Sequence, residues 1–369
     1  MRPAIPETLP PSRLEWEPLI PLIGRTNRAL ATYNGVLMAL PNPKILLSSL
    51  TTQEAVLSSR IEGTTADLRE VLAHEAGDNI RDSEKIADIG EIINYRKALN
   101  EAVRSLTNKP FGLNMLRDLH STLMAGVRGE NKSPGEFRAI QNYIGRKGAT
   151  IEQADYVPPE VPVMKQALHD WETFYHKETP DPLVQLALLH AQFEKIHPFL
   201  DGNGRIGRIL IPLFLYDRAL IAGPWFFISA YFEEHRDTYI EKLRDIDNTH
   251  GWNDWIVFFL TAMEMEAQRN TAKATAIQQL YEKLKLRVIE ITHSQYAVPL
   301  LDILFKYPIV STTAVAKTKG MPSRPMVTSL LNDLREDGIL KIVHEGAGRR
   351  AHVLALAELI KVAEGKKVI

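Results

Sequence analysis

Apolar residues in this chain recur mainly at helical spacing. Residues 1–22 are Pro-rich and predict an extended segment packed along another element. From about Ile20 to Gly77 the pattern is largely helical. Thr51-Thr52-Gln53-Glu54 reads as a capping box with Thr51 as N-cap, opening a helix that runs to Glu62, with Gly63 as its C′ residue. Residues 83–107 predict an amphipathic helix with Ile86, Ile89, Ile92, Ile93 and Tyr95 among its apolar positions. A further helix is expected over 111–127. The Gly/Pro/Asn-rich stretch that follows holds two short β-prone pieces, Ala139–Ile144 and Asp155–Val157, and predicts a small hairpin or flap. Helical patterning returns over 161–175, 182–196, 204–220, 232–246 and 251–285. The last part reads helix (Val298–Phe305), helix (Ser311–Thr318), helix (Ser323–Asp337), then β-prone Ile339–Val343, a turn over 345–350 and Ala351–Leu356. That is the order of a winged helix-turn-helix.

Composition narrows the class. The chain has 369 residues, enough for two or three domains with real cores. Apolar residues make up 45% and charged residues 24%, which excludes global disorder. There is no Cys, so disulfide scaffolds, Cys-ligated metal sites and thiol nucleophiles are excluded. The formal net charge of −1 excludes a bulk nucleic-acid or membrane binder. Charge is uneven, however. Residues 301–369 hold 11 basic and 7 acidic side chains, so this part is +4 and the remainder −5. The N-terminal stretch has Pro and Glu where a signal peptide needs an apolar core, and no apolar run reaches about 18 residues. The expectation is a soluble cytoplasmic protein with no membrane partner.

The chemistry concentrates in His197-Pro198-Phe199-Leu200-Asp201-Gly202-Asn203-Gly204-Arg205-Ile206-Gly207-Arg208, between two apolar helical segments. Glycines let backbone N–H groups approach a ligand closely. The second helix starts here, so its unpaired N–H groups and positive dipole end form an anion site. Arg205 and Arg208 share one face of its first turn, and two guanidinium forks suit a polyphosphate. Asp201 offers the hard oxygen that Mg²⁺ takes beside nucleotide phosphates. His197 supplies a general base that titrates near neutral pH. A base, a metal carboxylate, an amide nest and an Arg pair within twelve residues describe phosphoryl or nucleotidyl transfer.

HPFLDGNGRIGR resembles, at every defined position, the signature HxFx(D/E)GNGRxxR of Fic-domain proteins. The resemblance implies transfer of AMP from ATP to a Ser, Thr or Tyr hydroxyl of a target protein, with self-modification. It implies His197 as the base and Asp201 as the Mg²⁺ ligand. Gly202, Asn203, Gly204, Ile206 and Gly207 would line the nucleotide, and Arg205 and Arg208 would hold its outer phosphates. Gly204 stands where phosphorylating relatives carry Lys, which favours nucleotidyl transfer. Ser58-Ser59-Arg60-Ile61-Glu62-Gly63 resembles the family's inhibitory motif (S/T)xxxE(G/N). Ser58 and Glu62 share a helical face, and the resemblance implies that Glu62 pairs with Arg208 and takes the outermost phosphate's place. GEFRAIQNYIG with ADYVPP is similar to the target-docking hairpin, with Tyr156 and Val157 on its exposed edge. The stretch around Tyr239 is similar to the region lining the adenine pocket.

The resulting expectation is a mainly α fold: an N-terminal helical region over 1–108 with an inhibitory helix at about 51–63, a Fic-type core with a β-hairpin flap over 109–285, and a winged-helix domain over 286–369. Its cofactors would be ATP and Mg²⁺, and a homodimer is compatible with the helical core. Three other readings stand beside it. His190, Glu194 and His197 at i, i+4 and i+7 could ligate the metal of a hydrolase. The C-terminal part could serve a DNA-binding regulator, with Ser323–Asp337 as recognition helix and Lys341, Arg349 and Arg350 as wing contacts, although Asp333, Glu336 and Asp337 oppose phosphate approach. The same active site could also remove AMP from a modified target, with Glu62 orienting water.

Overall fold

The structure is a computed structural model and describes residues 2–78, 80–128, 131–145, 148, 150–344 and 352–365. The helices are α1 (Ile20–Ala39), α2 (Pro43–Leu46), α3 (Ser48–Ile61), α4 (Leu68–Glu75), α5 (Ser83–Leu106), α6 (Leu113–Met124), α7 (Val161–His176) and α8 (Pro182–Ile196). They continue with α9 (Asn203–Asp217), α10 (Ser229–Glu234), α11 (Arg236–Arg244), α12 (Gly251–Thr292) and α13 (Ala297–Lys306). The last are α14 (Thr312–Ala316), α15 (Arg324–Glu336) and α16 (Ala357–Glu364). Three strands, β1 (Ile309–Ser311), β2 (Lys341–His344) and β3 (Val353–Ala355), form one antiparallel sheet in the order β1-β3-β2. Among the described residues no helix is long and apolar enough to cross a membrane.

The chain divides into two compact units. The first holds residues 1–34, 57–63 and 94–268. Its centre is α8, which is apolar almost all round and therefore buried almost all round. Asp181 caps α8 by accepting from the N–H groups of Leu183 and Val184, both at 2.9 Å, and Pro182 supplies a preset first turn. Helix α8 packs against α7 and α9. Its backbone carbonyls at Leu189 and Ala187 accept from the indole N–H groups of Trp171 and Trp255, each at 2.8 Å. These two contacts fix α8, and therefore the loop that leaves its C-terminus.

The second unit holds residues 35–56, 64–93 and 269–369. Here α4 opens with a complete capping box: Asp67 accepts from Glu70 N–H while the Glu70 carboxylate accepts from Asp67 N–H, both at 2.9 Å. Chain order along its C-terminal part is α13, β1, α14, α15, β2, β3, α16. Ser311 ends β1 and caps α14 through its hydroxyl.

Several expectations need correction. Thr51 is not an N-cap, because α3 begins at Ser48 and the Thr51 hydroxyl donates back to the Leu47 carbonyl at 3.0 Å. The helix stops at Ile61, one residue early, and Gly63 turns the chain at φ +101°. Ile86 is 42% exposed, whereas Ile89, Ile92 and Tyr95 are buried. The segment 232–246 is two helices broken at His235, and α12 runs seven residues beyond 285. Among the described residues the flap pairs at one antiparallel bridge, Ile144 with Tyr156. Pro158 and Pro159 follow after Val157 and have no N–H to donate to a ladder, which stops the pairing. The expected turn over 345–350, with Arg349 and Arg350, lies outside the described residues, as does Ala351. Neither β1 nor α16 was expected.

Because Asp181 satisfies two otherwise orphaned donors at the start of the most buried helix, Asp181→Ala should lower stability by about 1–2 kcal/mol. Thermal or urea unfolding checks this, and an unchanged midpoint would show that the cap contributes nothing.

Candidate active site

The loop between α8 and α9 starts with strained backbone. His197 caps α8 in the left-handed region, at φ 47° and ψ 62°, a conformation that a non-glycine residue holds only when its surroundings over-determine it. Those surroundings are visible. Asn203 accepts from Phe199 N–H and donates to the Phe199 carbonyl, both at 2.9 Å, so one amide closes the loop on itself. The Phe199 ring is fully buried and stacks on the His120 ring at 3.9 Å. His120 accepts from Gly135 N–H at 2.8 Å through Nδ1, which leaves Nε2–H to donate to the Asp201 carbonyl at 3.2 Å. Gly202 then takes φ +77°, packed against Met124 and Leu123, and α9 begins.

Arg208 lies on the first turns of α9 and is 1% exposed. Its Nε donates to Ser58 Oγ at 2.8 Å, and its Nη2 donates to the Ser58 carbonyl at 2.9 Å and to Glu62 Oε1 at 2.5 Å. The end of α3 thus reaches the N-terminus of α9 within the first unit. A Cβ built on Gly204 would lie 2.3 Å from Glu62 Oε1 and 3.0 Å from Arg208 Nη1. Only glycine leaves room for a carboxylate here. Arg236 donates from Nε to the Ile61 carbonyl at 3.1 Å and so anchors the end of the same helix. Burial would raise the Glu62 pKa, but Arg208 and Arg205 outweigh it and hold it below its ordinary value. Glu62 is therefore ionised at neutral pH.

Glu62, His197, Gly204, Arg208, Tyr239 and Tyr156 line one cavity of about 240 Å³. Apolar Ile61, Ile144, Ile240 and Leu243 complete much of its wall. His197 Nδ1 lies 3.2 Å from the Glu194 carbonyl, which assigns the proton to Nδ1 and leaves the Nε2 lone pair for a substrate. Burial pushes its pKa down to about 4, so the ring is neutral near pH 7, as a base must be. Tyr239 is buried, and its hydroxyl meets His190 Nε2 at 2.9 Å. Tyr156 is half-buried, and its hydroxyl donates to the Lys195 carbonyl at 2.9 Å.

Other expected residues stand apart from the cavity wall. Asp201 is half-exposed; its Oδ1 accepts from Gly202 N–H at 2.6 Å and lies 3.5 Å from Arg205. Arg205 is buried on the first turn of α9. Ile206 is a core residue whose N–H bonds the Gly202 carbonyl at 3.0 Å, so neither its side chain nor its amide is offered to a nucleotide. Gly207 faces α8 instead: a Cβ there would lie 2.3 Å from Glu194 Oε1 and 3.4 Å from His190 Cε1. Val157 is 1% exposed, and its carbonyl accepts from Ala4 N–H at 2.9 Å. The strand edge expected there is covered by the chain's own N-terminal segment.

The hydrolase reading of His190, Glu194 and His197 fails on the same geometry. His190 has both ring nitrogens engaged, by the Gly207 carbonyl at 3.1 Å and by Tyr239. Burial pushes the Glu194 pKa up to about 8, so it is largely protonated at neutral pH. Among the described residues no group of three His, Cys, Asp or Glu could hold a metal ion. Two contributors escaped the sequence reading. His120 carries no local signal, because its role depends on stacking against Phe199. Arg138 is 1% exposed and donates from Nε to the His197 carbonyl at 3.0 Å.

Burial pushes His120 down to about 4 and His190 to about 3, against 6.5 in an unfolded chain. Below pH 6.5 the unfolded state then binds more protons, so stability is full above that value and falls as pH drops. Each ring should remove roughly 1 kcal/mol per pH unit between pH 6 and 5, from a limit of about 1.4. His190→Gln should flatten this slope in urea titrations at successive pH; an unchanged slope would contradict the assignment.

Residues 20–104 match a family described as Fic/DOC family N-terminal, and residues 110–215 match the Fic/DOC family itself. The chain is 29% identical over 155 residues to Protein adenylyltransferase Fic of Drosophila willistoni and 28% identical to that of Drosophila melanogaster. Each alignment covers 41% of this chain and 29% of the relative, so the chain spans less than a third of the relatives' length. Its fold is similar to that of a Fic family protein from Desulfovibrio desulfuricans G20, at a TM-score of 0.58 and 19% identity, over 96% of this chain and 98% of that one. It is also similar to a Fic domain containing signaling protein from Bacteroides thetaiotaomicron, at a TM-score of 0.56 and 18% identity, over 69% and 97% of the two chains. The two family matches meet at residues 104–110, cover more than half of the chain and take in both Glu62 and the His197–Arg208 loop, and the chain belongs to the Fic/DOC family.

Proposed function

We propose that the protein transfers AMP from ATP to a hydroxyl side chain of a protein target and is held weakly active by Glu62. The observation that carries this reading is the Glu62 carboxylate seated on Arg208 at 2.5 Å, against Gly204 in the first turn of α9. A helix N-terminus, a buried guanidinium and a glycine together form a site for an anion. In this reading Glu62 fills the place of the outermost phosphate.

In transfer, the target hydroxyl attacks the α-phosphorus of ATP and pyrophosphate leaves. His197 Nε2 takes the hydroxyl proton, while the Nδ1 hydrogen bond to the Glu194 carbonyl keeps the lone pair on the correct nitrogen. Arg205, Arg208 and the first N–H groups of α9 orient the phosphates and meet the growing charge. The residues present fit a nucleotide-borne Mg²⁺: Asp201 is one accessible carboxylate beside the α9 terminus, a partial donor set of the kind that phosphates complete. When bound, Mg²⁺ supplies charge neutralisation on the phosphates. We read the elements from α13 to β3 as a winged helix with an accessory role, and DNA as its partner is tested by a shift whose salt dependence is steep.

The test uses ATP labelled on the α- or the γ-phosphate, with purified protein and a cell lysate. Label should pass to protein from α-labelled ATP alone. Glu62→Gly should raise the yield at least tenfold, as loss of a part-buried charge-assisted contact on Arg208 allows. His197→Ala should reduce transfer roughly 100- to 10,000-fold while leaving ATP binding intact. Label from γ-labelled ATP, or full transfer by His197→Ala, would overturn the reading.

A further inference from the structure

Arg138 is 1% exposed and lies outside the 197–208 loop. Its guanidinium donates to backbone carbonyls on three chain segments: His197 from Nε at 3.0 Å, Ile140 from Nη1 at 3.3 Å, and Pro159 from Nη2. Its own N–H donates to the Pro198 carbonyl at 2.9 Å. Ile140 and Pro159 lie on the two arms of the flap, beyond the Ile144–Tyr156 bridge. Burying a guanidinium on neutral carbonyls alone is expensive, and an apolar residue would fill the volume at lower cost. The fork is what an apolar residue lacks: a planar donor set that reaches divergent acceptors at fixed angles. One of those acceptors belongs to the residue in left-handed strain that carries the base.

We infer that Arg138 is a positioning residue for the transfer, tying both arms of the flap to the His197 carbonyl and so fixing where the imidazole stands relative to the target hydroxyl. This rests on the transfer reading proposed above. Without the fork the strained His197 backbone loses its outer restraint, and the ring moves towards solvent. The nucleotide site on α9 makes no contact with Arg138, so binding and turnover should separate.

The test is Arg138→Lys in the full chain, in the Glu62→Gly background, with two readouts. The first is kinetic: kcat should fall roughly a hundredfold, the scale of an ångström misplacement, while the KM and Kd for ATP stay unchanged. The second needs no activity. In histidine-labelled protein followed by NMR, His197 should titrate closer to 6.5 instead of about 4, while His190 remains near 3. Lysine keeps the charge, so a shift confined to His197 reports ring position. If the parent transfers nothing, the transfer reading fails, and the His197 titration still decides for or against Arg138. If Arg138→Lys does not fold, Arg138→Ala with added methylguanidinium replaces it, and recovery of transfer is expected. An unmoved His197 titration, transfer at the parent's rate, ATP affinity that falls in step with kcat, or no rescue would overturn the inference.

Discussion

The structure around the site depends on one buried guanidinium, Arg208, that is paired with an anion. Arg208 is 1% exposed, and no arrangement of neutral donors and acceptors compensates its charge as well as a carboxylate or a phosphate does. Glu62 supplies that charge, with the Ser58 hydroxyl and carbonyl completing the coordination. Most of the surrounding structure serves this contact. Gly204 leaves room for the carboxylate, Arg236 secures the end of α3, and the left-handed turn at His197 starts the loop that brings α9 into place.

The same constraint gives the two neighbouring carboxyls opposite states. Burial dominates at Glu194 and leaves it protonated, whereas Arg208 and Arg205 hold Glu62 ionised. One guanidinium thus accommodates one full negative charge. In the proposed reading, withdrawal of Glu62 leaves Arg208 open to the terminal phosphate of a nucleotide, and inhibition is competition between two anions for one cation. His197 remains neutral in either state, with its proton held on Nδ1 by a backbone carbonyl.

Periodicity exposed much of the fold. Helix α8 lies at 182–196 as expected, because Asp181-Pro182 is an unambiguous start and its apolar run has one outcome. Helix α5 falls within one residue of expectation at each end. The failures have physical causes. The N-cap at Thr51 was misplaced because an internal threonine can bond back to the preceding turn, while the true box at Asp67 and Glu70 went unread. Strand β1 is three residues long and exists only through β3, which no local pattern announces. In the site, the 197–208 motif was legible because its spacing is local, and Glu62 through the resemblance of Ser58–Gly63 to the family's inhibitory motif. His120 and Arg138 were not, since each acts on the loop from a distant stretch of chain. Ile206 and Gly207 were read as ligand contacts because the motif contains them, yet one packs the core and the other makes room for Glu194.

The central claim, that Glu62 stands where a terminal phosphate belongs, is tested most directly by calorimetric titration of ATP and ADP into the wild-type protein and into Glu62→Gly. The account predicts that ATP has no advantage over ADP in the wild type and gains roughly ten- to hundredfold over ADP in the variant, the value of a charge-assisted contact to Arg208. An ATP-to-ADP affinity ratio that is the same in both proteins would contradict it.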